Sequence, residues 1–380
     1  MGQSETRVHF MDSGRALFML LGIPYHAAMI CLINAGRGPY APLSLEVITL
    51  LAAVINAFRM PAFFIIAGFF SALILRRKAP MEWLKSRFFR LGVPFVCAAI
   101  LLNPFQMYLS LVSGHYPGMS ANWSDWWQLM GTSGQHWVRH LWFLPSLLIM
   151  SGLIALIWKP LCVRHGERVA ALLRTCHRWY MLAGLTGAAL IWALAVKAVP
   201  TLIGHDLTFF TTIIDLPMTA TYLPYFLLGA ALCFERSLFK AFLSFSWPSL
   251  IIAGISLVVF VMFWGGTDEL SMFQKLIRTI SGALTGLYVS QCLFVLLARF
   301  MDTPDRRTDW LVYFSFSIYL FHQPVLEVIG YGLLFVAWNP LVEFVLMNVT
   351  GFVVSLGIAW GIHKSVTLSL MFNGARPKQV

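Results

Sequence analysis

Charge is what this 380-residue chain has least of: Asp, Glu, Lys and Arg together make up 11% of it, against 59% hydrophobic residues. A soluble globular domain carries about a quarter charged residues, so the composition excludes one. Cysteine is sparse too. Cys31, Cys97, Cys162, Cys176, Cys233 and Cys292 include no pair spaced for zinc or redox work, and they read as small apolar packing residues. Internal repeats, low-complexity tracts and a separate soluble domain are missing. Residues 1–380 therefore read as a single membrane domain, with its core at about 10–370 and a cytoplasmic tail at 371–380.

What fills the chain instead is apolar sequence. Ten stretches are long enough to cross a bilayer as helices: 15–34, 45–75, 91–112, 141–158, 180–199, 213–234, 247–264, 277–298, 311–336 and 341–363. The expected fold is all-α and polytopic. The second and ninth stretches exceed the hydrocarbon thickness and call for tilt. The sixth is interrupted by Asp215, Pro217 and Pro224. The first is longer than a signal-peptide core and carries Asp12 and Arg15 at its entrance, so it reads as retained.

A net charge of +11 raises the question of nucleic acid, and its distribution answers it. With the amino terminus inside, only Arg37, Arg139, Lys197, Lys275 and Arg278 fall outside and Arg59 within a span, leaving the other 21 of 27 basic residues on the inner side. That bias places both termini in the cytoplasm and requires an even number of crossings. The basicity is topology, with the lipid bilayer as the partner and no nucleic acid.

Polar groups at membrane depth carry the functional signal, because they are costly there. His26 falls about halfway along the first stretch, eleven residues after Arg15, or roughly 16 Å along a helix. Arg59 lies near mid-depth of the second, with Pro61 and Gly68 close by as helix-loosening residues. The ninth brings Ser315, Ser317, Tyr319, His322 and Gln323 to similar depth, followed by Pro324 and Glu327. Glu46, Asp215, Glu327 and Glu343 lie towards the outer ends of their helices. Each also has a bland reading: a histidine bridging two helices, or an arginine paired with a carboxylate to hold the bundle.

Two further clusters stand out. Arg87 and Arg90, just before the third stretch, share a helix face, and paired guanidiniums at a helix entrance suit phosphate recognition. On the outer side, the loop from Ser113 to His140 holds Trp123, Trp126, Trp127, His136 and Trp137. Those tryptophans fit either an interfacial belt or a platform for a sugar ring.

Five segments in order resemble the membrane-bound acyltransferase type 3 family, and within it the branch that acts on osmoregulated periplasmic glucans. They are Met11-Asp12-Ser13-Gly14-Arg15-Ala16 running on to Pro24-Tyr25-His26, then Phe58-Arg59-Met60-Pro61 through Ala67-Gly68-Phe69, and the twin arginines Arg87 and Arg90. His140-Leu141-Trp142-Phe143-Leu144 and Ser317-Ile318-Tyr319-Leu320-Phe321-His322-Gln323-Pro324 complete the set. Gly14 and Ala67 depart from the pattern, where a bulkier residue and a serine are common.

The resemblance implies a bacterial inner-membrane enzyme that takes an acyl group from coenzyme A and delivers it to a glycan hydroxyl outside. For the glucan branch the group is succinyl, so succinyl-coenzyme A is the donor substrate, with no permanently bound cofactor and no metal. His26 is then the general base, with Arg59, His322 and Asp12 as further catalytic candidates. Arg15, Arg87 and Arg90 are assigned to the donor, and His140, Trp142, Tyr319 and Glu327 to the acceptor. Direct transfer and a transient acyl-histidine both stay open, as do a homo-oligomer and glucan-synthesis proteins as partners. The competing readings are transfer of acetyl or another acyl group to a different envelope glycan, and a proton-coupled transporter.

Overall fold

The computed structural model describes residues 8–35, 42–116, 118–132, 135–159, 166–203, 214–264, 270–336 and 338–377. Cys162 and the basic residues Arg7, Arg37, Arg164 and Lys378 lie outside them.

Among the described residues every regular element is helical. The order is α1 (His9–Leu20), α2 (Gly22–Ala35), α3 (Pro42–Leu75), α4 (Pro80–Leu101), α5 (Asn103–Val112), α6 (Trp123–Thr132), α7 (Gln135–Val138), a 3-10 turn (Arg139–Trp142) and α8 (Phe143–Ile157). It continues with α9 (Gly166–Thr175), α10 (Arg178–Ile203), α11 (Leu216–Phe234), α12 (Arg236–Phe242), α13 (Trp247–Met262), α14 (Met272–Phe300), α15 (Arg306–Leu333), α16 (Pro340–Lys364) and α17 (Val366–Asn373). Nine helices or coaxial pairs among the described residues are long and apolar enough to cross a membrane. A tenth is reached when α12 and α13, bent by 65°, count as one span. The expected all-α, polytopic architecture is what the chain adopts.

Burial separates centre from periphery. In α3 the most apolar window is 72% buried, whereas in α10 it is 6% buried, so α3 is the axial helix and α10 faces outward. The packing of α3 on α11 explains Gly68 differently from the sequence reading. A Cβ at Gly68 would strike the Phe226 carbonyl, and a Cβ at Gly229 would strike the Ile65 carbonyl. Gly68 therefore permits two backbones to touch; it does not loosen α3, which runs unbroken from Pro42 to Leu75 through Pro61.

Three other expectations shift. The first stretch is two helices, because Pro24 has no N–H to give the Leu20 carbonyl and its ring crowds that carbonyl; the ladder breaks at Leu21. Two of the three interruptions of the sixth stretch are an ordinary helix start: Asp215 is the N-cap, accepting from Met218 N at 2.8 Å, with Pro217 in the first turn, while Pro224 lies inside α11. Arg87 and Arg90 lie inside α4, which begins at Pro80, well before the expected start at 91. At the other end of the chain, α17 packs on α4 and buries Phe372, so the last residues begin as part of the bundle.

Candidate active site

Two prolines organise the site. The break ahead of Pro24 places His26 one turn into α2, and puts Gly22 where a side chain would not fit. A Cβ at Gly22 would sit 3.0 Å from Arg59 Nη1 and 3.1 Å from His322 Nε2. The second proline, Pro324, lies inside α15 and leaves the Leu320 carbonyl, four residues back, without its helical donor. His140 supplies one, with Nε2 at 3.1 Å from Leu320 O. A residue from the loop-side 3-10 turn is thereby drawn into the bundle.

Three histidines meet as a result. The ring centroids of His26 and His322 are 5.2 Å apart, those of His140 and His322 5.3 Å, and those of His26 and His140 6.3 Å. Hydrogen bonding fixes two tautomers, since a carbonyl only accepts. His140 carries its proton on Nε2, leaving Nδ1 as a buried acceptor without a partner. His322 donates from Nδ1 to the Tyr319 carbonyl, leaving Nε2 as the buried, unpartnered acceptor. Tyr319 donates its hydroxyl to the His140 carbonyl. His26 is half-buried because it faces open space. Among the described residues no group of three His, Cys, Asp or Glu is placed to hold a metal ion.

That space is a cavity with an empty volume of about 350 Å³, bordered by His26, Arg59, His140, Trp142 and Tyr319 on its polar side and by Met60, Phe63 and Phe143 on its apolar side. Arg59 is 8% exposed. Its guanidinium lies over the Tyr25 ring, 4.7 Å from the centroid, and its Nε has no partner. Among the described residues no carboxylate reaches it, so the bland reading of a structural ion pair does not hold for Arg59.

The remaining expected site residues fall elsewhere. Asp12, expected among the catalytic groups, pairs with Arg15 at 3.5 Å. It stands fourteen residues before His26, or about 21 Å along a helix, and does not border the cavity. Arg15 is close enough to Arg87 for the two charges to repel, as is Arg90, so the three assigned to the donor form one positive cluster at that end. Glu327 is separated from the cavity by its ion pair with Arg139 and borders a neighbouring cavity instead. Of the other outer carboxylates, Asp215 is spent on its cap, Glu46 is exposed and Glu343 is buried in the first turn of α16. Trp123 stacks on Trp127 along α6, and Trp126 packs tilted against both.

Sequence reasoning missed Tyr25, Gly22 and Arg139. Tyr25 was adjacent to His26 and aromatic, which was signal enough. Arg139 had been counted only as a charge of the outer side.

A bundle of spanning helices around a polar chamber fits a membrane enzyme. Residues 8–364 match the family model described as an acyltransferase domain, and the chain belongs to that family. Over 384 residues it is 27% identical to the glucans biosynthesis protein C of Salmonella schwarzengrund (strain CVM19633), an alignment covering 98% of this chain and 96% of that protein. It is similarly related to the protein of that name from Escherichia coli O81 (strain ED1a), 28% identical over 337 residues, covering 85% of this chain and 83% of the relative. No solved structure matches the chain.

Proposed function

We propose that this protein transfers a succinyl group from succinyl-coenzyme A in the cytoplasm to a hydroxyl of a periplasmic glucan, across the bacterial inner membrane, with both termini cytoplasmic. One observation carries the reading: His26 and His140 border a cavity, with His322 packed against both, and that cavity also holds a guanidinium that meets no carboxylate among the described residues. The relatives' name supplies the glucan, and the family supplies acyl transfer.

Arg87, Arg90 and Arg15 hold the donor's phosphates, and its pantetheine arm runs up beside α1 to bring the thioester to the cavity. His26 takes the proton of the attacking hydroxyl as its oxygen bonds to the thioester carbon; imidazole is the side chain best matched to that step near neutral pH. The tetrahedral oxyanion collapses, the C–S bond breaks, and the departing thiolate recovers the proton from His26. The unpartnered Nε2 of His322 stands ready as a second acceptor beside His26. Arg59 faces the negative charge, either the oxyanion or the free carboxylate of the succinyl group. A fixed donor in a water-poor site is effective in both roles.

Purified protein in lipid nanodiscs, given labelled succinyl-coenzyme A and glucose oligosaccharides, should yield labelled ester and free thiol. His26→Ala, matched for folding, should yield neither. Near-normal transfer by that variant would remove His26 from the reaction. Failure of the wild-type protein to cleave the thioester at all would favour a carrier.

A further inference from the structure

The last described helix, α17, ends against the twin arginines. A Cβ at Gly374 would lie 2.3 Å from the Phe89 carbonyl oxygen and 2.6 Å from Arg90 Cα. We infer that the Asn373–Gly374 turn is a positioning element for the donor site, holding Arg87 and Arg90 of α4 at a set height relative to the histidine of α15. The inference rests on the acyl-transfer reading, in which those arginines hold coenzyme A, and adds what keeps them in place.

The turn is built for that approach. Eight residues make α17, too few for a stable isolated helix, so packing must hold it. Ser365 caps its start, accepting from Leu368 N at 3.3 Å. Gly374 ends it in the left-handed region, φ +59°, with its N–H given to the Leu370 carbonyl at 3.2 Å. Glycine is required twice over there. The backbone conformation disfavours a side chain, and the atoms that a Cβ would strike are backbone, which cannot swing aside.

Anchors on the other side tie the turn to the catalytic helix. α17 packs on α4, α15 and α16 at once. Asn373 Oδ1 accepts from Ser317 Oγ of α15 at 3.3 Å, and its Nδ2 donates to His363 Nε2 of α16 at 2.7 Å. Phe372 is buried and packs edge-on against Phe321, centroids 5.0 Å apart, and Phe321 directly precedes His322. Ser317 lies five residues before His322, about 7.5 Å along the helix. Phe372, Asn373 and Gly374 thus bridge the histidine-bearing α15 and the arginine-bearing α4. That support matters because the arginine turn is thinly covered: Lys85, Phe88, Phe89 and Arg90 are exposed. Buried Trp83 lies under the Arg87 guanidinium, 6.0 Å from the ring centroid, and Arg87 Nε has no partner. Arg87 is steadied through Trp83, and Arg90 through Gly374.

Coenzyme A titration of the protein in nanodiscs tests this, with KM for succinyl-coenzyme A and for glucose oligosaccharides measured separately. Gly374→Ala forces the turn off α4, and Asn373→Ala frees it from α15 and α16 without adding an atom. Both should weaken coenzyme A binding and raise donor KM by about tenfold, the scale of one misplaced charge-assisted hydrogen bond, with acceptor KM within about twofold of wild type. In an Arg90→Ala background Gly374→Ala should add little, because a residue acting through Arg90 has nothing left to position. Unchanged coenzyme A affinity in both folded variants, or full additivity with Arg90→Ala, would overturn the inference and leave α17 a packing element. A parallel rise in acceptor KM would do the same. If wild-type protein binds coenzyme A, loses affinity on Gly374→Ala, yet cleaves no thioester, the acyl-transfer reading falls and the positioning role stands. Wild-type protein that binds no coenzyme A would overturn both.

Discussion

Two arginines flank the histidines and are treated in opposite ways. Arg139 gives Nη2 to Glu327 and Nη1 to Ser110 Oγ at 3.0 Å, so the protein neutralises it. Arg59 is buried more deeply, yet it meets a tyrosine face and no carboxylate among the described residues. An uncompensated cation away from water costs several kcal/mol, and in a membrane span it marks function. The contrast separates a charge that holds the site together from a charge kept for what enters it. Arg139 also adopts a left-handed backbone, φ +50°, uncommon for a residue with a side chain. That too fits a residue fixed in place by its partners.

Breaking the structural pair should have the largest effect. Arg139→Met strands Glu327, whose side chain is 6% exposed, and should cost about 3–5 kcal/mol of stability, read as a fall in melting temperature in detergent. Arg139→Met combined with Glu327→Leu should recover most of it, because no charge is left unpaired. A harmless single variant would erase the distinction between the two arginines.

Gly22→Ala probes the other side with one methyl group. It would crowd Arg59 Nη1 and His322 Nε2 together, and a shift of about 1 Å in a catalytic group can cost on the order of a hundredfold in rate. The expected result is that loss in kcat/KM with a nearly unchanged melting temperature. Full activity would show that the approach at Gly22 is not needed.

Smaller again is the effect at the far end. Arg87→Ala with Arg90→Ala should weaken coenzyme A binding by about ten- to a hundredfold, for roughly 1.5–3 kcal/mol of lost charge-assisted hydrogen bonding. Isothermal titration checks it. Unchanged affinity would return the cluster to the topological role that basic residues play beside spans.

Much of this was legible in the sequence. Apolar runs fix the spans because hydrocarbon tolerates little else, and His26, Arg59 and His322 stood out because polar groups at depth are rare. The break at Leu21 was not legible, since Pro61 and Pro324 lie inside helices that run on through them. What could not be read was which group answers each freed or buried atom. Pro324 announces an open carbonyl at Leu320, but only folding brings His140, 180 residues earlier, to fill it. The pairing of Arg139 with Glu327 spans 188 residues; sequence shows both charges and not their meeting. Asp12 was legible as a neighbour of Arg15 at the entrance of the first helix, where the two pair at 3.5 Å, away from the chamber.

The most direct measurement is Arg59→Met, assayed for melting temperature and succinyl transfer on one preparation. If Arg59 is held for the reacting group, removing its charge strands no carboxylate among the described residues. Transfer should fall by at least a hundredfold, the scale of losing one oxyanion donor, while the melting temperature holds or rises. A variant that melts early, as Arg139→Met should, or one that still transfers at the wild-type rate, would contradict it.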